Sequence, residues 1–216
     1  MGETIEITAR DGHRLAGFLS TPAVAPRGGL IVIQTAFGLD DYLRGVCDAF
    51  AREGYLTLAP ALYDRQRRGA VFEHTPEGGA EAGRMRNAFV WEDVLKDVDA
   101  ARQRVASAGK VAIVGYCVGG SVVWLAAHSL PFDAAASYYG KDVVDFLDRT
   151  PKCPIVLHFG DSDRLIPLAD VEKIRTAFPL LPVHVYNAGH GFDGNTPAAA
   201  AIARERTMKL FRDHIG

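Results

Sequence analysis

Few cysteines, no surplus of either charge and no long apolar run set the outer limits of this sequence. The three cysteines, Cys47, Cys117 and Cys153, are an odd number without metal-ligand spacing. That argues against a disulfide framework and for a reducing compartment. With 24 basic residues against 26 acidic ones, the formal net charge is −2, and nothing draws the chain to nucleic acid or an anionic membrane. No apolar stretch approaches the ~20 residues of a membrane span. The N-terminus lacks the basic and apolar regions of a secretory signal. A cytoplasmic location is expected, with no nucleic-acid or membrane partner. No internal repeat or linker is evident, so residues 1–216 are read as a single domain, compatible with a monomer or a dimer. What remains is ordinary globular composition, 48% hydrophobic and 23% charged, enough to build a substantial core.

Along the chain, short apolar runs alternate with helical patterns. Alternation around Ile5 and Ile7, a turn at Arg10–His13 and a second strand over Leu15–Leu19 predict an opening hairpin. Leu30–Ile33 is a continuous apolar run, as expected of a strand covered on both faces. Further strands are predicted over Tyr55–Ala59, Val111–Val114, Ala134–Tyr139, Ile155–Phe159 and Val183–Tyr186. Helices are predicted over Asp41–Glu53, Ala88–Ser107, Ser121–His128, Val171–Phe178 and Pro197–Ile215. Arg65–Gly83, polar and Gly-rich, reads as a flexible loop or lid, with Arg65, Arg67 and Arg68 as solvated loop residues. Such alternation implies an α/β fold: a mainly parallel central sheet with helices on both faces and an antiparallel hairpin at its N-terminal edge. Functional loops of such sheets lie at the carboxyl ends of the strands.

The stretch Gly115-Tyr116-Cys117-Val118-Gly119-Gly120 follows one of those strands and opens a helix. Strand, tight turn, reactive side chain and helix make up a nucleophile elbow. Its tip residue is strained, so its flanks must be small. The helix N-terminus favours a thiolate or a developing oxyanion. Taken alone, Cys117 could equally be a structural cysteine beside a Gly-rich turn. Two later loops supply partners. Gly160-Asp161-Ser162-Asp163 follows the strand ending at Phe159 and offers an acid. Asn187-Ala188-Gly189-His190 follows the last strand and offers a histidine. The order nucleophile, acid, histidine is that of α/β-hydrolases. Asp163 is preferred to Asp161, which is better placed as a turn former. His190 would take the thiol proton and return it to the leaving group, with Asp163 fixing its tautomer. The backbone N–H groups of Val118 and Ala36 would form the oxyanion hole. His158, in an apolar strand, is expected to be a satisfied core residue, and Cys47 and Cys153 to be core or near-core residues.

These segments, together with Gln34-Thr35-Ala36-Phe37-Gly38, Leu62-Tyr63-Asp64-Arg65-Gln66 and Tyr138-Tyr139-Gly140, resemble the dienelactone hydrolases (carboxymethylenebutenolidases). The resemblance runs through most of the chain in the family's order. It implies the α/β-hydrolase fold, the triad Cys117, Asp163 and His190, and hydrolysis of a lactone or ester through a thioester without metal or cofactor. The partner so implied is a small-molecule ester or lactone. Two features depart from the family pattern. Thr35 stands where family members carry a glutamate coupled to thiol activation. The two arginines that grip the substrate carboxylate in the family fall at Gly194 and near Gly79 here. Arg84 and Arg86 lie a few residues on, either as substitutes or on a solvated helix face. A neutral ester or lactone is therefore as open a possibility as the acidic dienelactone. Phe37, Tyr63, Tyr139 and Phe192 are placed either in the acyl pocket, beside Thr35, or beneath the loops as core. A non-catalytic or thiol-sensing binding protein on the same scaffold is the alternative function.

Overall fold

The computed structural model describes residues 2–216. Eight strands form one sheet: β1 (Glu3–Thr8), β2 (Arg14–Ser20), β3 (Gly28–Ile33), β4 (Tyr55–Pro60), β5 (Val111–Tyr116), β6 (Ala134–Tyr138), β7 (Ile155–Gly160) and β8 (Val183–Tyr186). Their spatial order is β1-β2-β4-β3-β5-β6-β7-β8. The hairpin β1–β2 is antiparallel and pairs antiparallel with β4, and every later pairing is parallel. This is the mainly parallel sheet with an N-terminal antiparallel hairpin expected from the alternation of elements, and it fits the α/β-hydrolase fold that the resemblance implies. Every residue of β3, β5, β6 and β7 is buried. Strands covered on both faces gain nothing from polar alternation, which explains their unbroken apolar character.

The helices bracket that sheet. α1 (Asp41–Arg52) starts at Asp40, whose carboxylate accepts from the Leu43 N–H, and turns Leu43, Cys47 and Phe50 inward. α3 (Trp91–Val105) packs beside α4 (Val118–Ser129). α7 (Pro197–Ile215) meets α1 through Phe211 and Phe50. α5 (Leu168–Ala177) precedes β8, and the single turn α6 (Phe192–Asn195) follows it. No helix among the described residues is long and apolar enough to cross a membrane.

The stretch Arg65–Gly83 departs from the expected loop. Most of its second half belongs to α2 (Pro76–Asn87), capped by Thr75, whose hydroxyl accepts from the Gly78 N–H, with Pro76 in the first turn. That start signal outweighs the low helix propensity of Gly78, Gly79 and Gly83. The single helix expected over Ala88–Ser107 is correspondingly shorter. Ala88 closes α2, and α3 begins only at Trp91. Arg65 is not a solvated loop residue either. It forms a two-pronged ion pair with the Asp97 carboxylate (2.8 and 2.7 Å), which is fully buried on α3, and also reaches Asp11. Arg67 and Arg68 are exposed as expected. His158 is fully buried and satisfied by Tyr186 Oη at 2.8 Å and Thr207 Oγ1 at 3.0 Å.

Candidate active site

The carboxyl ends of β3, β5, β6, β7 and β8 converge, and each delivers one part of the site. At the end of β5 the chain turns into α4 through Cys117, which adopts φ 58 and ψ −118. A side chain other than glycine seldom takes that left-handed conformation, and here it lifts the thiol out of the sheet. Cys117 N–H donates to Tyr138 O at 3.0 Å and Gly120 N–H donates to Cys117 O at 2.9 Å, so the turn is fixed from both sides. The flanking glycines are steric requirements. A Cβ on Gly115 would lie 2.3 Å from Gly119 O, and one on Gly119 would lie 2.6 Å from Gln34 O. Cys117 is partly exposed, whereas Cys47 is fully buried and Cys153 packs against the core.

The loops after β7 and β8 bring Asp163 and His190 together. His190 Nδ1 lies 2.7 Å from Asp163 Oδ2, and the Asp163 side chain has no solvent exposure. Asp163 is itself anchored, because its Oδ1 accepts from the N–H groups of Leu165 (2.8 Å) and Ile166 (3.2 Å). Asp161 does the work of a turn residue, accepting from the Ala188 N–H and the Ser162 hydroxyl. Burial works against a charge on His190. The hydrogen bond to Asp163 and the nearby Cys117 sulfur outweigh it and raise the imidazole to about 9. His190 Nε2 is buried without a well-formed hydrogen bond among the described residues. The Cys117 sulfur is near enough to raise the imidazole, yet no hydrogen bond between the two meets ordinary geometry. That looseness is common in sites that tighten on binding substrate.

Across from the thiol, the loop after β3 is held in place. Thr35 O accepts from the Gly38 N–H and from Gln34 Nε2, each at 3.4 Å. In a trans peptide the N–H points opposite to the C=O, so these bonds fix the direction of the Ala36 N–H. Tyr63 Oη donates to Ala36 O at 2.9 Å and secures the next peptide. Among the described residues neither the Ala36 N–H nor the Val118 N–H has a protein acceptor. Thr35 Oγ1 accepts from the Phe37 N–H at 3.2 Å, a local role with no ionisable group.

Two cavities open on the thiol. The larger, about 440 Å³, is lined by Thr35, Ala36, Phe37, Tyr42, His74, Cys117, Tyr139, His190, Gly191, Asp193, Gly194 and Asn195. The smaller, about 220 Å³, is lined by Ala36, Gly79, Gly83, Arg86, Asn87, Cys117, Val118, Lys141, Asp142, Leu165 and His190. Thr35, Phe37 and Tyr139 therefore wall the site. Tyr63 and Phe192 do not. Tyr63 belongs to a buried cluster with Phe72 and Ala82 under the Ala36 loop. Phe192 is fully buried against Tyr138, Tyr139 and Tyr186. Arg84 is exposed and lines neither cavity, whereas Arg86 faces the smaller one and pairs with Asp142. Gly79 and Gly194 each line a cavity, so glycine backbone stands at both positions. Tyr42, His74 and Asp193 were not foreseen from the sequence. Asp193, only three residues past His190, was the one within reach of local reasoning. Among the described residues no cluster of three or more His, Cys, Asp or Glu could hold a metal ion.

Known proteins similar to this chain in sequence and fold are hydrolases. Residues 15–215 match the model of the Dienelactone hydrolase family. The chain is 34% identical to the carboxymethylenebutenolidase of Pseudomonas putida, with 95% of this chain and 94% of that protein covered. A crystal structure of a candidate dienelactone hydrolase from Klebsiella pneumoniae subsp. pneumoniae MGH 78578 superposes with a TM-score of 0.84 at 27% identity, covering 98% of this chain and 100% of that one. An alpha-beta serine hydrolase homologue from Coxiella burnetii shares the fold, with a TM-score of 0.69 at 14% identity over 94% of this chain and 96% of that one.

Proposed function

The chain belongs to the dienelactone hydrolase family, and from that premise we propose that it hydrolyses small carboxylic esters or lactones through a thioester on Cys117. The observation that carries this reading is the junction of the two cavities. There a thiol on a left-handed elbow meets an imidazole whose other nitrogen is bonded to a buried carboxylate.

The proposed reaction uses each group in turn. His190 Nε2 takes the thiol proton, and the Asp163 bond raises its affinity for that proton. The sulfur attacks the acyl carbon, a C–S bond forms, and the carbonyl electrons move onto oxygen. The Val118 and Ala36 N–H groups are free to receive that oxyanion, and the N-terminal end of α4 favours it further. Collapse breaks the C–O bond, and the departing alkoxide takes the proton from His190. In a lactone the new alcohol stays tethered to the acyl group. Water then attacks the thioester as His190 accepts its proton. The C–S bond breaks, the sulfur recovers the proton, and the carboxylic acid leaves. The two cavities that meet at the thiol suit the acyl and alcohol portions of an ester.

The test is turnover of short p-nitrophenyl esters and simple lactones by the wild-type protein, Cys117→Ala and Cys47→Ala. Turnover lost in Cys117→Ala and kept in Cys47→Ala is the expected result. Turnover that persists in Cys117→Ala would remove the cysteine from the reaction. No turnover across the panel would favour a thiol-sensing binding protein instead.

A further inference from the structure

We propose that Asp193 is a specificity-determining residue that makes the larger cavity a charge filter, admitting uncharged or cationic acyl groups and turning away anionic ones. The inference rests on the reading of Cys117 as nucleophile and extends it to the class of substrate.

Asp193 sits on α6 and lines the same cavity as Cys117 and His190. Its carboxyl is held between two walls. Oδ1 accepts from the hydroxyl of Tyr139, after β6, and Oδ2 from the hydroxyl of Tyr42, on α1. Burial pushes the Tyr139 phenol well up, so it is a neutral donor throughout the working range. Two fixed donors orient the carboxyl without cancelling its charge. No arginine or lysine lines this cavity. His74 is engaged by Asp40 at 2.9 Å, and His190 by Asp163. Behind Asp193, a second hollow is lined by Tyr42, Tyr116, Tyr138 and Arg204. Arg204 is committed to Glu53 at 2.9 Å and lies over the Phe50 ring. Arg86 faces the other cavity and is paired with Asp142. An anionic acyl group would therefore meet Asp193 with no free cation to offset it. A neutral group meets aromatic walls, and a cationic one meets the carboxylate as well.

The filter depends on pH in a definite direction. Burial pushes Asp193 up to about 6, against the opposing effect of its own and the Gly194 N–H groups. Below that pH the carboxyl is neutral and discrimination is weak. As pH rises through it, the charge appears and anions are rejected. Like charges about 6 Å apart at an effective dielectric of about 20 weaken binding roughly a hundredfold, and access of water reduces this to the order of tenfold.

The experiment compares kcat/KM for three p-nitrophenyl esters of equal chain length. One ends in a methyl group, one in a sulfonate and one in a trimethylammonium, so that substrate charge stays constant from pH 5 to 8. Ratios between substrates cancel the change in the active fraction of the His190–thiol pair. In the wild type, the neutral-to-anionic ratio is expected to rise about tenfold between pH 5 and 8. In Asp193→Asn the ratio is expected to be flat and to match the low-pH wild-type value, with the preference for the cation lost. Asp193→Glu should restore the rise. A flat ratio in the wild type, or the same rise in Asp193→Asn, overturns the filter, and the wild-type measurement needs no variant to fold. Failure of the underlying mechanism is separately visible as neutral-ester turnover that survives in Cys117→Ala.

Discussion

Replacing Asp163 with asparagine probes the acid member of the site in a way the structure specifies atom by atom. Asp163 Oδ1 accepts two backbone N–H groups, from Leu165 and Ile166, while Oδ2 faces His190 Nδ1 at 2.7 Å. An asparagine keeps its oxygen where those two donors are, because a buried amide N–H₂ group cannot accept from them. Its N–H₂ group then faces His190 Nδ1 and forces that nitrogen to become the acceptor. The ring proton moves to Nε2, on the side of Cys117, and the imidazole can no longer take the thiol proton. With the carboxylate gone, burial still disfavours the imidazolium and only the sulfur still favours it. His190 should fall from about 9 by more than ~1 pH unit, each unit being worth ~1.4 kcal/mol. Turnover should drop roughly 10²–10⁴-fold. Ring-nitrogen NMR, with His190→Ala to assign the resonance among seven histidines, reads the titration directly. The same shift governs stability. A histidine raised from 6.5 to about 9 on folding stabilises the native state fully below pH 6.5 and loses that contribution as pH rises through 9. The variant should flatten the decline in stability across that window. A His190 that still titrates near 9 in Asp163→Asn would refute the reasoning.

Further outcomes follow from single contacts. Gly119→Ala places a Cβ 2.6 Å from Gln34 O and 2.7 Å from Ile33 O; it should cost ~1–3 kcal/mol by denaturant titration and lower kcat by displacing the Ala36 loop. Gly79→Ala, in α2 with nothing within 4 Å of the new Cβ, should instead stabilise by up to ~1 kcal/mol; a loss would mean that Pro76–Asn87 does not behave as a helix. Arg65→Met leaves the fully buried Asp97 carboxylate unpaired and should cost ~3–5 kcal/mol. Burial already raises Asp97, so this cost should shrink as acid protonates it, and an equal cost at pH 4 and pH 8 would contradict the pairing. Burial raises Cys47 strongly and pushes Cys153 up to about 11, so brief iodoacetamide treatment at pH 7 should label Cys117 alone, as read by peptide mass spectrometry.

The loops that carry Cys117, Asp163 and His190 were legible because their signals are local. Gly115-Tyr116-Cys117-Val118-Gly119 names its own geometry, and Asp163 and His190 each follow directly on a buried strand. The choice between Asp161 and Asp163 was also local, since the residue nearest the strand end is the one that closes the turn onto Ala188. α2 was hidden by Gly78, Gly79 and Gly83, although Thr75 and Pro76 carried a readable start signal. Arg65 looked like part of a basic loop because its partner, Asp97, is 32 residues away. Tyr63 and Phe192 have the composition of pocket walls, and only packing decides that they lie beneath the loops. Asp193 is beside His190 in the chain, yet its environment comes from Tyr42, 151 residues away, and Tyr139, 54 residues away. Tertiary contacts of that kind, on which the proposed substrate preference rests, leave no local signal, whereas the candidate reactive groups are announced by short patterns.

The most direct measurement is mass spectrometry of the protein quenched in acid during turnover of a slowly hydrolysed ester. The proposed mechanism requires an acyl adduct on the peptide containing Cys117, formed before steady state, released by hydroxylamine and absent from Cys117→Ala. Steady turnover with no adduct on that peptide, or an adduct on another residue that forms and decays at the turnover rate, would contradict it.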